Sequence, residues 1–260
     1  ANRRALEDAR DEAEAAANII SGHTLRMKER EKKAAAAADE RVKLTMDTGA
    51  LDSRIRLLTE MEKDYEGFNK AVKLVCQAKG ELRGIHGPVA SLIKTESRYS
   101  LAIEIALGAG LQNIVVDREE DAKSAIAFLK RRDGGRATFL PLTAIHGEEL
   151  RENGVEREFG FVGVASRLVC FDPKYTQIFN NLLGRTVIAE DLDCGIAMAR
   201  KYRNAFRIVT LDGQVINRGG SMTGGSVSRS AGVLSRTAEL ERLNSRIGEL
   251  HQRLEDAKVA

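Results

Sequence analysis

The sequence contains no tryptophan and only three prolines, and aromatic residues make up 5% of its 260 positions. Proline interrupts helices, and heptad seams are filled by leucine, isoleucine and alanine, so these shortages are typical of long helices. The sequence also lacks any run of 18 or more apolar residues, and no signal-peptide pattern opens it. We therefore expect a cytoplasmic protein that makes no membrane contact.

The residues that hold metals or form disulfides are few and far apart. The three cysteines are odd in number and form no CxxC pair: Cys76, Cys170 and Cys194. This spacing favours free thiols in a reducing compartment over a disulfide framework or a zinc site. None of the four histidines lies within metal-ligand spacing of another histidine or a cysteine: His23, His86, His146 and His251. We expect no metal site and no catalytic residue.

Nucleotide-binding and nucleophile motifs are missing as well. No Gly-Lys pair occurs, which excludes a Walker A loop, and neither GxGxxG nor GxSxG fits the chain. The segment "INRGGSMTGGS" at 216–226 nevertheless has two glycine pairs, a pattern that often holds a phosphate. Three interpretations stay open at this point: an anion-binding loop, a close contact between two protein backbones, and, for 224–232, a flexible linker.

Both ends of the chain carry the composition of coiled coil. Residues 1–79 are rich in Ala, Glu, Lys and Arg without proline, which predicts one long helix. Residues 233–260 continue the pattern with a cleaner seam of alternating three- and four-residue steps: Leu240, Leu243, Ile247, Leu250 and Leu254. We expect the two segments to pair antiparallel. Because the first is much longer, we expect residues 1–48 to lack a partner and the chain to continue at both ends in a longer protein.

The middle of the chain, residues 80–232, holds all three prolines and most glycines. Short β-rich runs predict strands within 113–117, 136–142, 167–171, 185–190, 206–213 and 214–217, with a hairpin turn at Asp212-Gly213. The region also repeats itself. Segments beginning at Tyr99 and Tyr175 each predict a helix ending in Leu-Gly, a strand, a second helix with a basic end, and another strand. The glycine after each first helix suits a left-handed C-cap. We expect two similar α/β halves, at 80–160 and 161–232, related by a pseudo-twofold axis.

Several blocks of this region resemble the hinge domain of bacterial SMC (structural maintenance of chromosomes) proteins. They are "YEGFNKAVKLV" (65–75), "GIHGPVASLI" (84–93), "AIEIALGAGLQNIVVD" (102–117), "GRATFLPL" (135–142) and "RGGSMTGGS" (218–226). The resemblance covers about residues 60–235. It implies an α+β fold of two similar halves, flanked by long antiparallel coiled-coil helices.

The resemblance also implies a function, homodimerisation, in which the first half of one copy meets the second half of the other. The late glycines would then lie at the dimer contact: Gly213, Gly219, Gly220, Ser221, Met222, Thr223, Gly224 and Gly225. Glycine allows close backbone approach, and an edge strand can pair with a second chain, which agrees with that role. No cofactor is expected in this chain, since ATP and magnesium would bind only at ATPase heads outside it. The protein it comes from would organise and segregate chromosomes at the nucleoid.

Weak, non-specific DNA binding is a further implication of the resemblance. Basic residues follow the second helix of each repeat: Lys130, Arg131, Arg132 and Arg136, then Arg200, Lys201, Arg203 and Arg207. Cations at a helix C-terminus also stabilise the helix without any ligand, so both interpretations stay open. Two alternatives to the hinge remain: a small-ligand α/β enzyme that uses the glycine loop for phosphate, and a coiled-coil scaffold whose middle domain binds another protein.

Overall fold

The structure is a computed structural model that describes residues 2–226 and 232–259. Its helices are α1 (Asn2–Lys63), α2 (Lys70–Gln77), α3 (Ser100–Leu107), α4 (Glu119–Arg131), α5 (Thr176–Leu183), α6 (Leu192–Lys201) and α7 (Val233–Val259). Its strands are β1 (Ile85–Pro88), β2 (Lys94–Thr95), β3 (Ile114–Val116), β4 (Phe139–Pro141), β5 (Phe161–Val164), β6 (Val169–Cys170), β7 (Thr186–Ala189), β8 (Arg207–Thr210), β9 (Val215–Ile216) and β10 (Met222–Thr223). This mixture of helices and short strands is the α+β class that the sequence predicts.

The chain divides into two compact units, Ala1–Ile55 with Leu243–Ala260, and Arg56–Arg242. In the first unit, α1 and α7 pair through Leu44 and Thr48 on one helix and three seam residues on the other: Leu243, Ile247 and Leu250. Arg253 donates to Glu40 at 3.0 Å beside that seam. Side chains between residues 9 and 43 are exposed. The expectation that residues 1–48 lack a partner is therefore wrong at the end of that range, where Glu40 pairs with Arg253 and both Leu44 and Thr48 are buried. The domain boundaries at 79, 160 and 232 stay predictions.

In the second unit, α7 starts alongside the end of α1 and the loop that follows it. Thr237 donates to Glu62 at 3.0 Å, and Arg236 donates to the backbone carbonyl of Glu66 at 2.6 Å. Residue numbers therefore decrease along α7 as they increase along the end of α1 and the loop after it. The two segments run antiparallel, as predicted.

The prediction of one continuous helix over residues 1–79 is wrong between α1 and α2. The chain leaves the helix after Lys63, where Tyr65 (φ 50°) and Gly67 (φ 91°) adopt left-handed backbone conformations. The turn brings Tyr65 and Phe68 against the globular core, with their rings edge to face at 5.8 Å. Burying two aromatic rings offsets the local loss of helical hydrogen bonds. Composition alone did not indicate this break, because the heptad-like spacing of apolar residues continues through it.

The two halves repeat each other strand for strand. In the first, β1 pairs antiparallel with β3, which pairs parallel with β4; in the second, β5 pairs antiparallel with β7, which pairs parallel with β8. Even the irregularity recurs, since a bulge lies between Ile85 and Gly87 and again between Phe161 and Gly163. The predicted repeat is therefore present in the backbone register as well as in the sequence.

The halves are joined by a small sheet and by a shared core. β2 and β6 pair antiparallel between the halves, with Lys94 opposite Cys170. α3 and α5 pack in one apolar cluster that includes Ile103, Ile178 and Phe179, all fully buried. His86 of the first half bridges Asp117 at 2.9 Å and Tyr175 of the second half at 2.8 Å. The histidine thus lies in β1 and ties the halves together.

The second half differs from the first by one added hairpin. β9 pairs with β8, and β10 pairs with β9, so the sheet order is β10-β9-β8-β7-β5 against β1-β3-β4 in the first half. The Asp212-Gly213 turn joins β8 and β9, as predicted, with Gly213 at φ 92° and its amide bonded to Thr210. The strands predicted within 113–117, 136–142, 167–171, 185–190, 206–213 and 214–217 are confirmed, whereas β1, β2, β5 and β10 were missed.

The predicted left-handed C-cap is wrong for both Leu-Gly pairs. Gly108 has a positive φ of 49°, which favours glycine, but its ψ of −126° lies outside the αL region. Gly184 has φ −63° and ψ −22°, an ordinary helical conformation. At Gly184 the reason for glycine is space. A Cβ there would collide with the backbone carbonyl of Glu148, which crosses over α5.

We predict that Gly184→Ala destabilises the globular unit by about 1–3 kcal/mol, because the added methyl must displace a backbone segment. Gly80→Ala is the matched control, since nothing lies within 4 Å of a Cβ at that position. Chemical denaturation of both variants measures the difference. Equal stability of the two would contradict the close packing assigned to Gly184.

Candidate dimerisation and nucleic-acid surfaces

The first glycine pair of "GGSMTGG" forms the turn of the β9–β10 hairpin. The amide of Asn217 donates to the carbonyl of Ser221 at 2.8 Å, which closes the turn. Gly219 and Gly220 lie inside it with φ values of 90° and 96°. A side chain in this left-handed region costs about 1–2 kcal/mol, so the turn itself requires glycine at these two positions.

The side chain of Gln214, in the turn between β8 and β9, holds the second glycine pair, Gly224 and Gly225, in place. Gln214 accepts a hydrogen bond from the amide of Gly225 at 3.0 Å and donates to the Gly225 carbonyl at 3.3 Å. A Cβ at Gly224 would collide with the Gln214 side chain. The side-chain amide thus pairs with the backbone after β10 as a neighbouring strand would.

Gly213 has a different environment from the other glycines. A Cβ at this position would meet the side chain of Ile105 on α3, in addition to being strained by φ 92°. The close contact between Gly213 and α3 is therefore made within one chain. The glycine fixes the β8–β9 turn, and through it the hairpin, onto α3.

These contacts weigh against the anion-binding interpretation. The amide of Gly220 donates to Asn217 and the amide of Gly225 to Gln214, while Gly219 points its amide at the Asn204 carbonyl at 3.4 Å. Three of the four glycine amides are therefore engaged inside the chain, and a phosphate cradle needs converging free amides. The linker interpretation of 224–232 falls largely on residues 227–231, which lie outside the described residues.

Among the described residues, no backbone group pairs with the outer side of β10. Hydrogen-bonded and non-bonded pairs alternate along an antiparallel ladder, and the pair of Asn217 with Ser221 is bonded. The next pair, Ile216 with Met222, is then non-bonded, so the N–H and C=O of Met222 point away from β9. Its side chain is 52% exposed. β10 is the last strand on that side of its sheet.

The outer side of β4 is a second such edge, at the far end of the first half's sheet. Ile114 donates to Thr138, and Leu142 donates to Val116, so alternate residues of this segment bond β3. The backbone of Phe139 therefore faces away from β3, whereas the outward carbonyl of Pro141 already accepts from the amides of Ala144 at 3.2 Å and Ile145 at 3.0 Å. Proline has no N–H, which suits an edge position. Sequence analysis quoted "GRATFLPL" but did not assign this edge to the site.

The eight basic candidates fall into two groups on different halves, at the ends of α4 and α6. Five are exposed, and none of the five lies within 4.0 Å of a carboxylate among the described residues: Lys130, Arg131, Arg136, Arg200 and Arg203. Arg132 lies 3.8 Å from Glu81 and stacks over Phe128.

The remaining two basic candidates have partners within the chain. Lys201 contacts Glu158 at 2.5 Å, and this hydrogen bond lowers the pKa of Glu158. Arg207 is partly buried, and it donates to the carbonyls of Ala106 at 2.7 Å and Ile105 at 3.3 Å, near the end of α3. Burial lowers the pKa of Arg207. Its contacts give it a structural role at the C-terminus of α3, where helix carbonyls lack partners.

A cleft of about 720 Å³ lies where α3 and the first turns of α7 meet the β8–β9 turn. Its charged lining is mixed: Arg98, Glu190, Asp212, Glu239 and Arg242. Among the described residues there is no group of three or more histidine, cysteine or acidic side chains placed to hold a metal ion. Nor does the described part of the chain contain a helix long and apolar enough to cross a membrane.

Comparison with known proteins identifies a family. The family model "SMC proteins Flexible Hinge Domain" matches residues 82–199. The chromosome partition protein Smc of Bacillus subtilis is 45% identical over 205 residues, which cover 77% of this chain and 17% of that protein. The chain thus spans less than a fifth of that relative's length.

Two solved structures agree with this match. A structure described as an asymmetric dimer of the Geobacillus stearothermophilus SMC hinge domain is 36% identical, with a TM-score of 0.81, and covers 89% of this chain and 95% of that one. The Pyrococcus furiosus SMC hinge domain is 32% identical, with a TM-score of 0.53, and covers 67% of this chain and 88% of that one. The repeated α/β halves, the late glycine hairpin and these matches agree: the chain belongs to the family of SMC hinge domains.

Proposed function

We propose that this chain is a homodimerisation hinge in which the outer edge of β10 in one copy pairs with the outer edge of β4 in the other. The observation that carries the proposal is the pair of unlike open edges at Met222 and Phe139. Unpaired strand edges recruit another strand, and both edges here lie on the same chain. A solved relative described as a dimer supports self-association.

Two unlike edges give a closed dimer under twofold symmetry. When β10 of the first copy meets β4 of the second, the same operation places β10 of the second against β4 of the first. Two junctions form, and neither edge is left open. Because the edges lie on different halves, the first half of each copy meets the second half of the other, as the family resemblance implies.

In the longer protein, the dimer joins two coiled-coil arms so that two distant heads belong to one complex. We propose that this complex acts in chromosome partition, as the name of the Bacillus relative states for that protein, and that it works in the cytoplasm at the nucleoid. This chain supplies the connection and performs no catalysis. ATP and magnesium would bind at the heads, outside this chain. The phosphate-binding enzyme alternative gains no support, because the glycine amides are already engaged.

We predict that Met222→Pro weakens the dimer without unfolding the protein. Proline removes only the amide that faces outward, so the ladder to β9 stays intact. Each lost hydrogen bond is worth about 1 kcal/mol, and two symmetric junctions together raise the dissociation constant roughly 30-fold. Sedimentation velocity over a dilution series measures that constant.

The control for this prediction is Met222→Ala, which shortens the same side chain but keeps the amide. Circular dichroism and a thermal melt establish that both variants fold. If the proline and alanine variants have the same dissociation constant, the proposed pairing is refuted. Replacing the four paired glycines by alanine is a poorer experiment, because Gly219 and Gly220 need positive φ and Gly224 lies against Gln214.

A second candidate function, weak and non-specific DNA binding, is favoured by one observation. Five exposed cations are grouped at the ends of α4 and α6, and none has a carboxylate within 4.0 Å among the described residues, so no neighbouring acid neutralises their charge. Free cations at this density attract a phosphate backbone. We propose Lys130, Arg131 and Arg136 as one contact group and Arg200 and Arg203 as the other. Arg132, Lys201 and Arg207 are engaged inside the chain and contribute less.

We predict that changing Lys130, Arg131 and Arg136 to Glu weakens DNA binding and lowers the slope of log affinity against log salt by up to about three. A matched control changes three cations that each pair with a glutamate along their own segment, Arg151, Arg246 and Lys258. Both sets alter the net charge equally. If fluorescence anisotropy titrations give the same loss for both sets, only total charge matters and the site is refuted.

A further inference from the structure

The first turn of α7 rests on a carboxylate supplied by another helix. Glu104 of α3 accepts a hydrogen bond from the backbone amide of Val233 through Oε1 at 3.1 Å. Gly232 approaches the same group so closely that a Cβ there would collide with the carboxylate. The first amides of a helix lack partners inside it, and acidic groups commonly accept from them. Glu104 is therefore positioned as an anchor for the N-terminus of α7.

This anchor is electrostatically incomplete. Oε2 of Glu104 is buried, and it has no hydrogen-bond partner among the described residues. Burial raises the pKa of Glu104, although the amides of Val233, Leu234 and Ser235 and the charge of Arg236 act in the opposite direction. The loss of hydration on burial therefore destabilises the charged carboxylate more than these contacts stabilise it. An exposed N-capping carboxylate has the opposite balance.

The charged groups on the elements packed around α3 do not neutralise Glu104. Arg236, the cation that acts on it from α7, donates to the carbonyl of Glu66. Arg207 of β8 is held by the carbonyls of Ile105 and Ala106, and Asp212 of the β8–β9 turn accepts from Thr210. α5 carries no charged side chain. These neighbouring groups therefore leave Oε2 of Glu104 without a hydrogen-bond partner among the described residues.

We propose that Glu104 makes the attachment of α7 to α3 a releasable joint, which its negative charge loosens and which neutralisation of the carboxyl tightens. The geometry supports both states. The carboxyl accepts from Val233 whether or not Oε2 carries a proton, but only the charged form leaves Oε2 as a buried anionic oxygen that has no hydrogen-bond partner among the described residues. The joint lies within one chain, so it does not depend on the proposed dimer.

The direction of the pH dependence follows from linkage. The attached state raises the pKa of Glu104 above its ordinary value of 4.5, so protons bind the attached state more tightly than the released one. The added stability is fully present below that ordinary value and is lost as the pH rises through the raised pKa. At neutral pH the joint is therefore in its weaker form.

The position of the joint determines which parts of the chain its release affects. The helix that carries Glu104 also packs Ile105 against Gly213, at the turn that leads into the β9–β10 hairpin. α3 thus touches both the start of α7 and the base of the hairpin. Release from Glu104 loosens the first turn of α7, while the hairpin keeps its own contact with α3.

The test is hydrogen–deuterium exchange of the full chain, followed in peptides from residues 232–242 and corrected for intrinsic rates at each pH. Glu104→Gln keeps the shape and removes the charge. We expect this variant to exchange more slowly than the unmodified protein at about pH 8, by about tenfold for each unit by which the pKa is raised. The unmodified protein should gain protection on acidification to about pH 5.5, and Glu104→Gln should lack that gain. Glu96→Gln, an exposed carboxylate on the approach to α3, is the control and should behave as unmodified.

Faster exchange in Glu104→Gln would overturn the proposal, because the charge would then be an ordinary stabilising cap. Equal exchange at all pH values would overturn it too. A second pair of variants tests the close contact itself. Gly232→Ala should speed exchange of the same peptides, and Glu104→Ala should relieve that effect by removing the group that the new methyl meets. An undiminished effect of Gly232→Ala in the Glu104→Ala background would contradict the contact.

Discussion

The structure depends on one constraint: a β-sheet edge with unpaired backbone groups must be covered. The chain builds the same three-stranded motif twice and adds the β9–β10 hairpin to only one copy. Because the copies are unequal, their outermost strands are unlike, and the edges of β4 and β10 lie on different sheets of one molecule. A twofold pairing of two chains covers both edges at once. One hairpin added to one of two similar halves thus supplies the two unlike edges that the proposed twofold pairing requires.

The glycines and the helix α3 support that arrangement from inside the chain. Gly219 and Gly220 supply the turn, Gln214 clamps Gly224 and Gly225, and Gly213 rests on Ile105 of α3. Each glycine therefore has a local reason, and the proposed role in dimerisation belongs to β10, the strand that they hold in place. α3 receives the β8–β9 turn on one side and the first turn of α7 at Glu104 on another. The base of the arm and the base of the interface hairpin consequently share one helix of eight residues.

Much of the fold was predictable from the sequence because its signals are local. Apolar runs identified β3, β4, β7, β8 and β9, and the repeat beginning at Tyr99 and Tyr175 predicted two similar halves. The missed strands are short or contain glycine, such as β1 with Gly87 and β5 with Gly163, and they exist only because β3 and β7 pair with them. The helix break at Tyr65 and the close approach at Gly184 arise from tertiary packing. For the site, the glycine stretch pointed to β10, but the edge of β4, the attachment of Arg207 to α3 and the anchor at Glu104 need the three-dimensional register.

Disulfide trapping between residues 222 and 139 tests the proposed pairing most directly. The chain would carry Met222→Cys and Phe139→Cys together, with exposed Cys170 replaced by Ser and the buried Cys76 and Cys194 kept. Under mild oxidation, the account predicts a covalent dimer of twice 28.5 kDa for the double variant and monomers for either single variant. A covalent dimer from Met222→Cys alone would mean that β10 pairs with β10 of the other copy. That result, or the absence of any crosslink in the double variant, would contradict the pairing of unlike edges.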